Sequence, residues 1–272
     1  MKFSVIMASY NQVEFVEEAI NSLLNQTYQD FELLIFDGQS TDGTTDKIKR
    51  YANHDKVFLT IEKDKGLYHA RNKGILKATG DIVCFLNTDD FYEPNALQIV
   101  ATEFLKQSNI DVIYGLNKVV DKQGEIVRKN EYKIFNKQDR ISKYQALPDQ
   151  STFILRKHLP YVGLYDCTFR IVSDWDYWLR AMVLDLNFKA LDHYIANFRS
   201  YDETLTNSPK FVKIRFLEVK RLYKKYNNRI ITPFLALHYF RHLKYYLKKI
   251  KLIEAAYRPI RDKYDLKRNL NS

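Results

Sequence analysis

Cysteine and glycine are scarce, with two and eight in 272 residues, and no apolar run approaches the ~20 residues of a membrane span. Two cysteines build no disulfide framework. Cys84 and Cys167 both sit among apolar or aromatic neighbours, so each is expected to be a small buried hydrophobe rather than a redox or metal group. The glycines fall in neither phosphate-binding spacing. There is no Gly-x-x-x-x-Gly-Lys and no Gly-x-Gly-x-x-Gly, which excludes a P-loop and a dinucleotide fingerprint. A nucleotide, if bound, is held by other means. The opening Met1-Lys2 and Phe3–Met7 is too short for a secretory leader and lacks a cleavage site; it reads as the first strand of a cytoplasmic protein. The 46% apolar content suffices for a core without disulfides or structural metal.

The formal charge of +10 is unevenly placed. Residues 209–272 carry 18 Lys/Arg against 4 Asp/Glu, whereas residues 1–208 carry 25 against 29. A mildly acidic body with a strongly basic tail is not the pattern of a uniformly basic nucleic-acid binder. The division suggests a domain over 1–208 and an extension over 209–272.

Along the body, strand-like and helix-like segments alternate. Strands are expected at Phe3–Ala8, Phe31–Phe36, Val57–Ile61 and Asp81–Leu86, with a further one beginning at Val112–Tyr114. Helices are expected at Val13–Asn25, Thr44–Tyr51, His69–Ala78 and Asn95–Lys106, from 3.6-residue periodicity and cap candidates. This alternation implies an α/β fold with a mainly parallel, Rossmann-like sheet and helices on both faces. Ligands of such sheets sit beyond the carboxyl ends of the strands. That rule selects the loops at 8–11, 37–43, 62–68 and 87–91, where polar residues also cluster. Between 115 and 205 the signal is weaker: a ribbon over Glu125–Phe135 after a turn, and a helix over Ser173–Leu184.

Three constellations carry chemistry. Asp89-Asp90 ends a strand, and adjacent carboxylates repel unless a cation joins them; a hard divalent ion would, while a turn and helix cap is the plainer use. Asp37-Gly38-Gln39-Ser40-Thr41-Asp42-Gly43-Thr44 offers a strand-end carboxylate that can accept an N–H from a base, or is simply a strand-turn-helix junction. In Asp64-Lys65-Gly66-Leu67-Tyr68-His69-Ala70-Arg71-Asn72-Lys73-Gly74, cations open a helix, where the dipole disfavours them. A pyrophosphate would offset that through a guanidinium fork; solvated surface charge is the alternative.

The order of Ala8-Ser9-Tyr10-Asn11, Asp37 through Thr44, Asp64 through Gly74, Ala78-Thr79-Gly80-Asp81 and Leu86-Asn87-Thr88-Asp89-Asp90 resembles the family 2 glycosyltransferases, nearest to the branch of bacterial O-antigen and capsule assembly. The resemblance spans residues 3 to about 200. It implies the GT-A fold, a nucleoside-diphosphate sugar as donor, a manganese or magnesium ion, and inversion at the anomeric carbon. Carried over residue by residue, it places Ala8 and Tyr10 beside the base and Asp37 on the base N–H. Asp64 also falls among the donor-binding residues. Arg71 goes near the base or diphosphate, Asp89 to the ribose or metal, and Asp90 to the metal. Within Ser173-Asp174-Trp175-Asp176-Tyr177-Trp178-Leu179-Arg180, Ser173 stands where relatives carry an acid, which leaves Asp174 as the expected general base and Trp175 as a stacking surface for a sugar. Two departures stand out. Asp149-Gln150 replaces a frequent His-Gln, and Phe198-Arg199 is followed by Ser200-Tyr201 where some relatives supply a metal-binding histidine.

Residues 209–268 interleave Lys/Arg with Phe, Leu, Ile and Tyr, a pattern suited to an anionic membrane surface. Packing on the body or a homodimer contact is the other use of such helices, and no nucleic-acid motif is present. The tail suggests a peripheral enzyme of the inner membrane face, and the resemblance implies a saccharide acceptor carried on a polyprenyl lipid. A catalytically silent scaffold on the same fold and a nucleotidyltransferase are the rival readings.

Overall fold

The computed structural model describes residues 1–130, 147–202, 204–205, 208–227 and 243. The chain divides into two compact units, Met1–Thr204 and Leu205–Ser272.

In the first unit the strands are β1 (Phe3–Ser9), β2 (Phe31–Asp37), β3 (Val57–Ile61), β4 (Ile82–Phe85), β5 (Phe91–Tyr92), β6 (Val112–Val120), β7 (Ile126–Asn130), β8 (Thr152–Leu155) and β9 (Phe188–Arg199). Its helices are α1 (Val16–Leu24), α2 (Thr44–Lys49), α3 (Leu67–Lys77), α4 (Ala96–Lys106), α5 (Leu159–Val162) and α6 (Ser173–Val183). The described strands form one sheet in the order β3-β2-β1-β4-β8-β6-β9-β5, with β7 on β6. The first four are parallel, and β8 then joins β4 and β6 antiparallel.

β1 and β2 are near-continuous apolar runs because both of their faces are covered. Phe3, Val5 and Met7 turn to one face, in a core with Val16, Ile20 and Leu23 of α1 and Leu97 and Val100 of α4. Ile6 turns to the other face, against α3. A Cβ at Gly74 would collide with the Ile6 side chain, so glycine lets this helix lie directly on β1.

Register sets the height of the loops that leave the strands. Ser9 is level with Asp37, and Asp37 with Ile61, while Phe85 is level with Ile6. The segments after β1, β2, β3 and β4 therefore leave the same sheet edge, which is the edge the alternation rule selects.

The Ala78-Thr79-Gly80-Asp81 stretch serves the opposite end. Glu32 accepts hydrogen bonds from Ser4 Oγ (2.5 Å), Thr79 N (2.7 Å), Thr79 Oγ1 (2.8 Å) and Lys2 Nζ (2.8 Å). Burial raises the proton affinity of this carboxyl, and the Lys2, Ser4 and Thr79 donors outweigh it, so the group is brought down to about 2. A Cβ at Gly80 would lie 2.6 Å from the Lys2 carbonyl oxygen.

Several expectations change. β9, twelve residues long, has no clear alternation in the sequence. Its pairing with β6 shifts register twice near Gly115, where Ile195 fills the space a Cβ would need. Such irregularities break a period of two. The helix expected from Val13 begins at Val16. β7 accounts for the first part of the expected ribbon, and residues 131–135 lie outside the described residues. Cys84 is buried as expected, but Cys167 is exposed, its sulfur accepting a hydrogen bond from Asn72 Nδ2 at 3.3 Å.

In the second unit, α7 (Val212–Asn227) buries Val219, Leu222 and Tyr223 at helical spacing and exposes Lys213, Leu217, Lys220 and Lys224. Asn228, and with it the interruption that the sequence suggests at Asn227-Asn228, lies outside the described residues. The Pro233 break and the apolar Ile230–Phe240 segment lie outside the described residues. Among the described residues, no helix is long and apolar enough to cross a membrane.

Candidate active site

Tyr10, Gly38 and Asp64 converge at the end of β1 and β2. Tyr10 is 61% exposed. A Cβ on Gly38 would come within 3.2 Å of Tyr10 Cδ2 and 3.1 Å of Asp64 Oδ2, so glycine keeps the floor between the ring and the carboxylate open. Asp64 is held from below by the Gly66 N–H, at 2.7 Å from Oδ1. Ala8, level with Phe36 on β2, is half-buried at the same edge. Asp37 is buried and turned into its own loop. It accepts from Ser40 N (3.1 Å), Ser40 Oγ (2.6 Å) and Thr45 Oγ1 (2.6 Å). Its carboxylate caps the turn between β2 and α2, and of the two acids Asp64 borders the open floor. The segment after β1 is tied to this turn by Asn11, whose φ of 51° is sustained by hydrogen bonds to Ser40 and Thr41.

The acidic pair follows β4. Asp90 is 1% exposed, with Oδ1 accepting the Arg199 N–H at 2.8 Å and Oδ2 accepting Asn87 Nδ2 at 2.9 Å. Asp89 is only half-buried, and its Oδ2 lies 3.3 Å from the Tyr201 hydroxyl. Each oxygen of Asp90 thus takes one hydrogen bond inside the protein, and Asp89 is the more exposed of the two acids. Burial, and then the charge of Asp89, holds the Asp90 carboxyl well above the usual range; burial raises Asp89 as well.

The charge of Arg199 favours the ionised form of both acids, but burial prevails. Its Nε donates to the Asp89 carbonyl (2.9 Å), Nη1 to the carbonyls of Asp121 (3.1 Å) and Lys122 (2.7 Å), and Nη2 pairs with Glu18. The guanidinium is spent on backbone and on Glu18, and only the Arg199 N–H reaches an Asp90 oxygen.

Arg71 is not at the surface. It is 3% exposed, its Nη1 2.5 Å from Asp149 Oδ2 and its Nη2 donating to Asn87 Oδ1 at 2.8 Å. Phe85, Tyr165 and Tyr68 surround it with ring centroids at 5.3, 5.5 and 5.8 Å. Arg71, expected near the base or diphosphate, is thus held in an internal ion pair with Asp149. Asp149 also accepts from Trp178 Nε1 (2.7 Å) and the Tyr165 hydroxyl (3.3 Å). Asp174, in the first turn of α6, receives the Tyr68 hydroxyl at 3.1 Å. Burial first, then the charge of Asp149, pushes its carboxyl up to about 7 against the pull of Arg71 and Tyr68. Asp176 is turned inward, paired with Arg180 Nε at 2.9 Å.

Asn87 joins the two clusters, accepting from Arg71 and donating to Asp90. A run of direct contacts thus leads from Asp149 to the acidic pair. Sequence reasoning missed Asn87, Tyr68, Tyr201 and the Arg199 hub. Asn87 lay in a quoted motif, but only its position between Arg71 and Asp90 gives it a role. Tyr201 stands in the place that had been left without a ligand.

Among the described residues no three or more His, Cys, Asp or Glu side chains gather to hold an ion. Magnesium and manganese sites completed by phosphate and water need only one or two carboxylates, so Asp89, half-exposed and beside a second carboxylate, fits such an ion.

The model of the family described as glycosyl transferase family 2 matches residues 4–157. An uncharacterized glycosyltransferase of Nostoc sp. is 36% identical over 129 residues, 44% of this chain and 40% of that protein, so the chain spans less than half of it. The chain matches more of an Escherichia coli protein, UDP-Glc:alpha-D-GlcNAc-diphosphoundecaprenol beta-1,3-glucosyltransferase WfgD. Identity there is 28% over 239 residues, covering 87% of this chain and 89% of that one. The mannosyltransferase PcManGT of Pyrobaculum calidifontis, solved with GDP-Man and Mn2+, superposes with a TM-score of 0.63 at 17% identity, over 93% of this chain and 75% of that one. The architecture is the GT-A fold.

Proposed function

Because the chain belongs to glycosyl transferase family 2, we propose that it moves a sugar from a nucleoside-diphosphate donor, UDP-linked, to a saccharide acceptor carried on a lipid, with inversion at the anomeric carbon. The observation that carries this reading is the pairing of a reachable acid at the end of β4, Asp89, with a second acid, Asp174, whose proton affinity is tuned to neutral pH. The name of WfgD, a UDP-Glc enzyme acting on a diphosphoundecaprenol-linked sugar, supports the donor base and the acceptor class.

In this mechanism the nucleoside lies over Gly38, its base against the Tyr10 ring near Ala8. Asp64 Oδ2 or the remaining acceptor capacity of Asp37 takes the base N–H. Asp89 would hold the manganese or magnesium ion, and the contacts of Asp90 to Arg199 and Asn87 fix the loop that presents it. When bound, that ion neutralises the charge of the departing nucleoside diphosphate. Asp174 takes the proton of the acceptor hydroxyl as its oxygen attacks the anomeric carbon. The bond to the diphosphate oxygen breaks in line, and the bonding pair leaves with the diphosphate. Trp175, half-exposed beside Asp174, offers a face for the acceptor sugar.

The exposed lysines of α7 support a peripheral role on the anionic, cytoplasmic membrane face. A thermal-shift screen of nucleoside diphosphates and their sugars, with and without manganese, tests the donor site. The expected result is a manganese-dependent rise for UDP and a UDP-sugar. No shift with any nucleotide, together with no diphosphate release, defeats the proposal.

A further inference from the structure

Asp149 takes no part in the mechanism above, yet it is the most heavily engaged buried acid beside Asp174. It is 6% exposed and holds three elements at once. Arg71 of α3 meets its Oδ2 at 2.5 Å, Trp178 of α6 donates to its Oδ1 at 2.7 Å, and the Tyr165 hydroxyl lies 3.3 Å from the same oxygen. Trp178 is one helical turn beyond Asp174, so the indole N–H ties the start of α6 to Asp149. Tyr68 stands one turn before Arg71 on α3, and its hydroxyl reaches Asp174 Oδ1 at 3.1 Å. The helix with the expected base and the helix with its hydrogen-bond donor are thereby pinned to one buried carboxylate.

We propose that Asp149 is a positioning residue for Asp174: through Trp178 and Arg71 it fixes where the Asp174 carboxylate stands, and its own negative charge sets how readily Asp174 holds a proton. This rests on Asp174 being the general base. The groups that face Asp174 are Tyr68 and Arg71 from α3, Asp149 from the turn before β8, and Tyr165 from the loop before α6. Arg71 alone among these is a cation, and it lies against Asp149, so Asp174 keeps a like charge nearby whose compensation is shared. A base placed this way holds its proton until near neutrality and is a stronger acceptor than a solvated aspartate.

The test uses the full chain without ligand. Infrared difference spectra across pH follow the protonated-carboxyl band that disappears in Asp174→Asn. In Asp149→Asn the like charge goes, Arg71 is released toward Asp174, and the midpoint of that band is expected to fall by ~1 pH unit or more. In Trp178→Phe the ring stays but a donor to Asp149 is lost. Its charge is then less neutralised, and the midpoint is expected to move the opposite way. If Asp149→Asn does not fold, Trp178→Phe carries the test alone. A midpoint that stays at the wild-type value in the folded variants, or moves down in Trp178→Phe, overturns the proposal. Failure of the base assignment shows separately, as diphosphate release from the UDP-sugar found in the thermal-shift screen that survives Asp174→Asn.

Discussion

Two polar clusters share one ingredient list and reach different electrostatic ends. Each has two carboxylates and one buried arginine: Asp89 and Asp90 after β4 with Arg199 at the end of β9, and Asp149, Asp174 and Arg71 around α3 and α6. Arg199 directs its guanidinium to carbonyl oxygens and Glu18, so its charge favours the adjacent acids only through space and burial still prevails. Arg71 directs its guanidinium to Asp149. The first arrangement leaves a deficit that a divalent ion can fill. In the second, one acid is neutralised and the other, Asp174, is left to hold a proton. Composition does not distinguish a cation site from a proton site; the destination of the guanidinium does.

The sharpest way to break this comparison is at Asp174. Asp174→Asn should lower turnover of the UDP-sugar found in the thermal-shift screen by ~10²–10⁴-fold, the usual range for a lost general base, with the fold intact by circular dichroism. A loss under tenfold would mean that the proton leaves by another route.

The arginines come next. Arg71→Met strands the buried Asp149 charge and should cost ~3–5 kcal/mol in denaturant unfolding. Arg199→Met forfeits hydrogen bonds, but its acidic partner Glu18 is 49% exposed and can return to water, so a smaller cost of ~1–3 kcal/mol is expected. Equal costs would erase the distinction drawn between the two guanidiniums.

A gentler test is the pH dependence of stability. The folded carboxyl of Asp174 holds its proton up to about 7, well above an unfolded aspartate, so the folded state binds more protons in between. Its contribution therefore makes the protein less stable as pH rises from 4 toward 8. Asp174→Asn should flatten that decline in thermal unfolding. Glu32 has the opposite sign. Lowered to about 2, it stabilises above its unfolded value of about 4.5, and that contribution is lost as pH falls toward 2. Glu32→Gln should accordingly remove part of the acid-side loss and leave the alkaline side unchanged.

The parallel half of the sheet was legible because β1 and β2 are buried on both faces and read as unbroken apolar runs. The loops at their ends followed from topology alone. β9 was not legible, since its register shifts against β6 erase alternation. In the site, Asp174 and the Asp89-Asp90 pair were visible as residue types at meaningful positions. Which acid of the pair faces outward was not, because that depends on the backbone of Arg199, over a hundred residues away. The burial of Arg71 was hidden for the same reason. A cation opening a helix suggests an anionic ligand, and nothing local shows that Asp149, from another part of the chain, supplies the negative charge.

Calorimetric titration of UDP in the presence of manganese tests the division of labour most directly. Asp89→Asn should abolish the manganese-dependent part of UDP binding, while Asp174→Asn should bind UDP as the wild type does. UDP binding that survives Asp89→Asn, or that is lost in Asp174→Asn, would contradict the assignment of the cation to one cluster and the proton to the other.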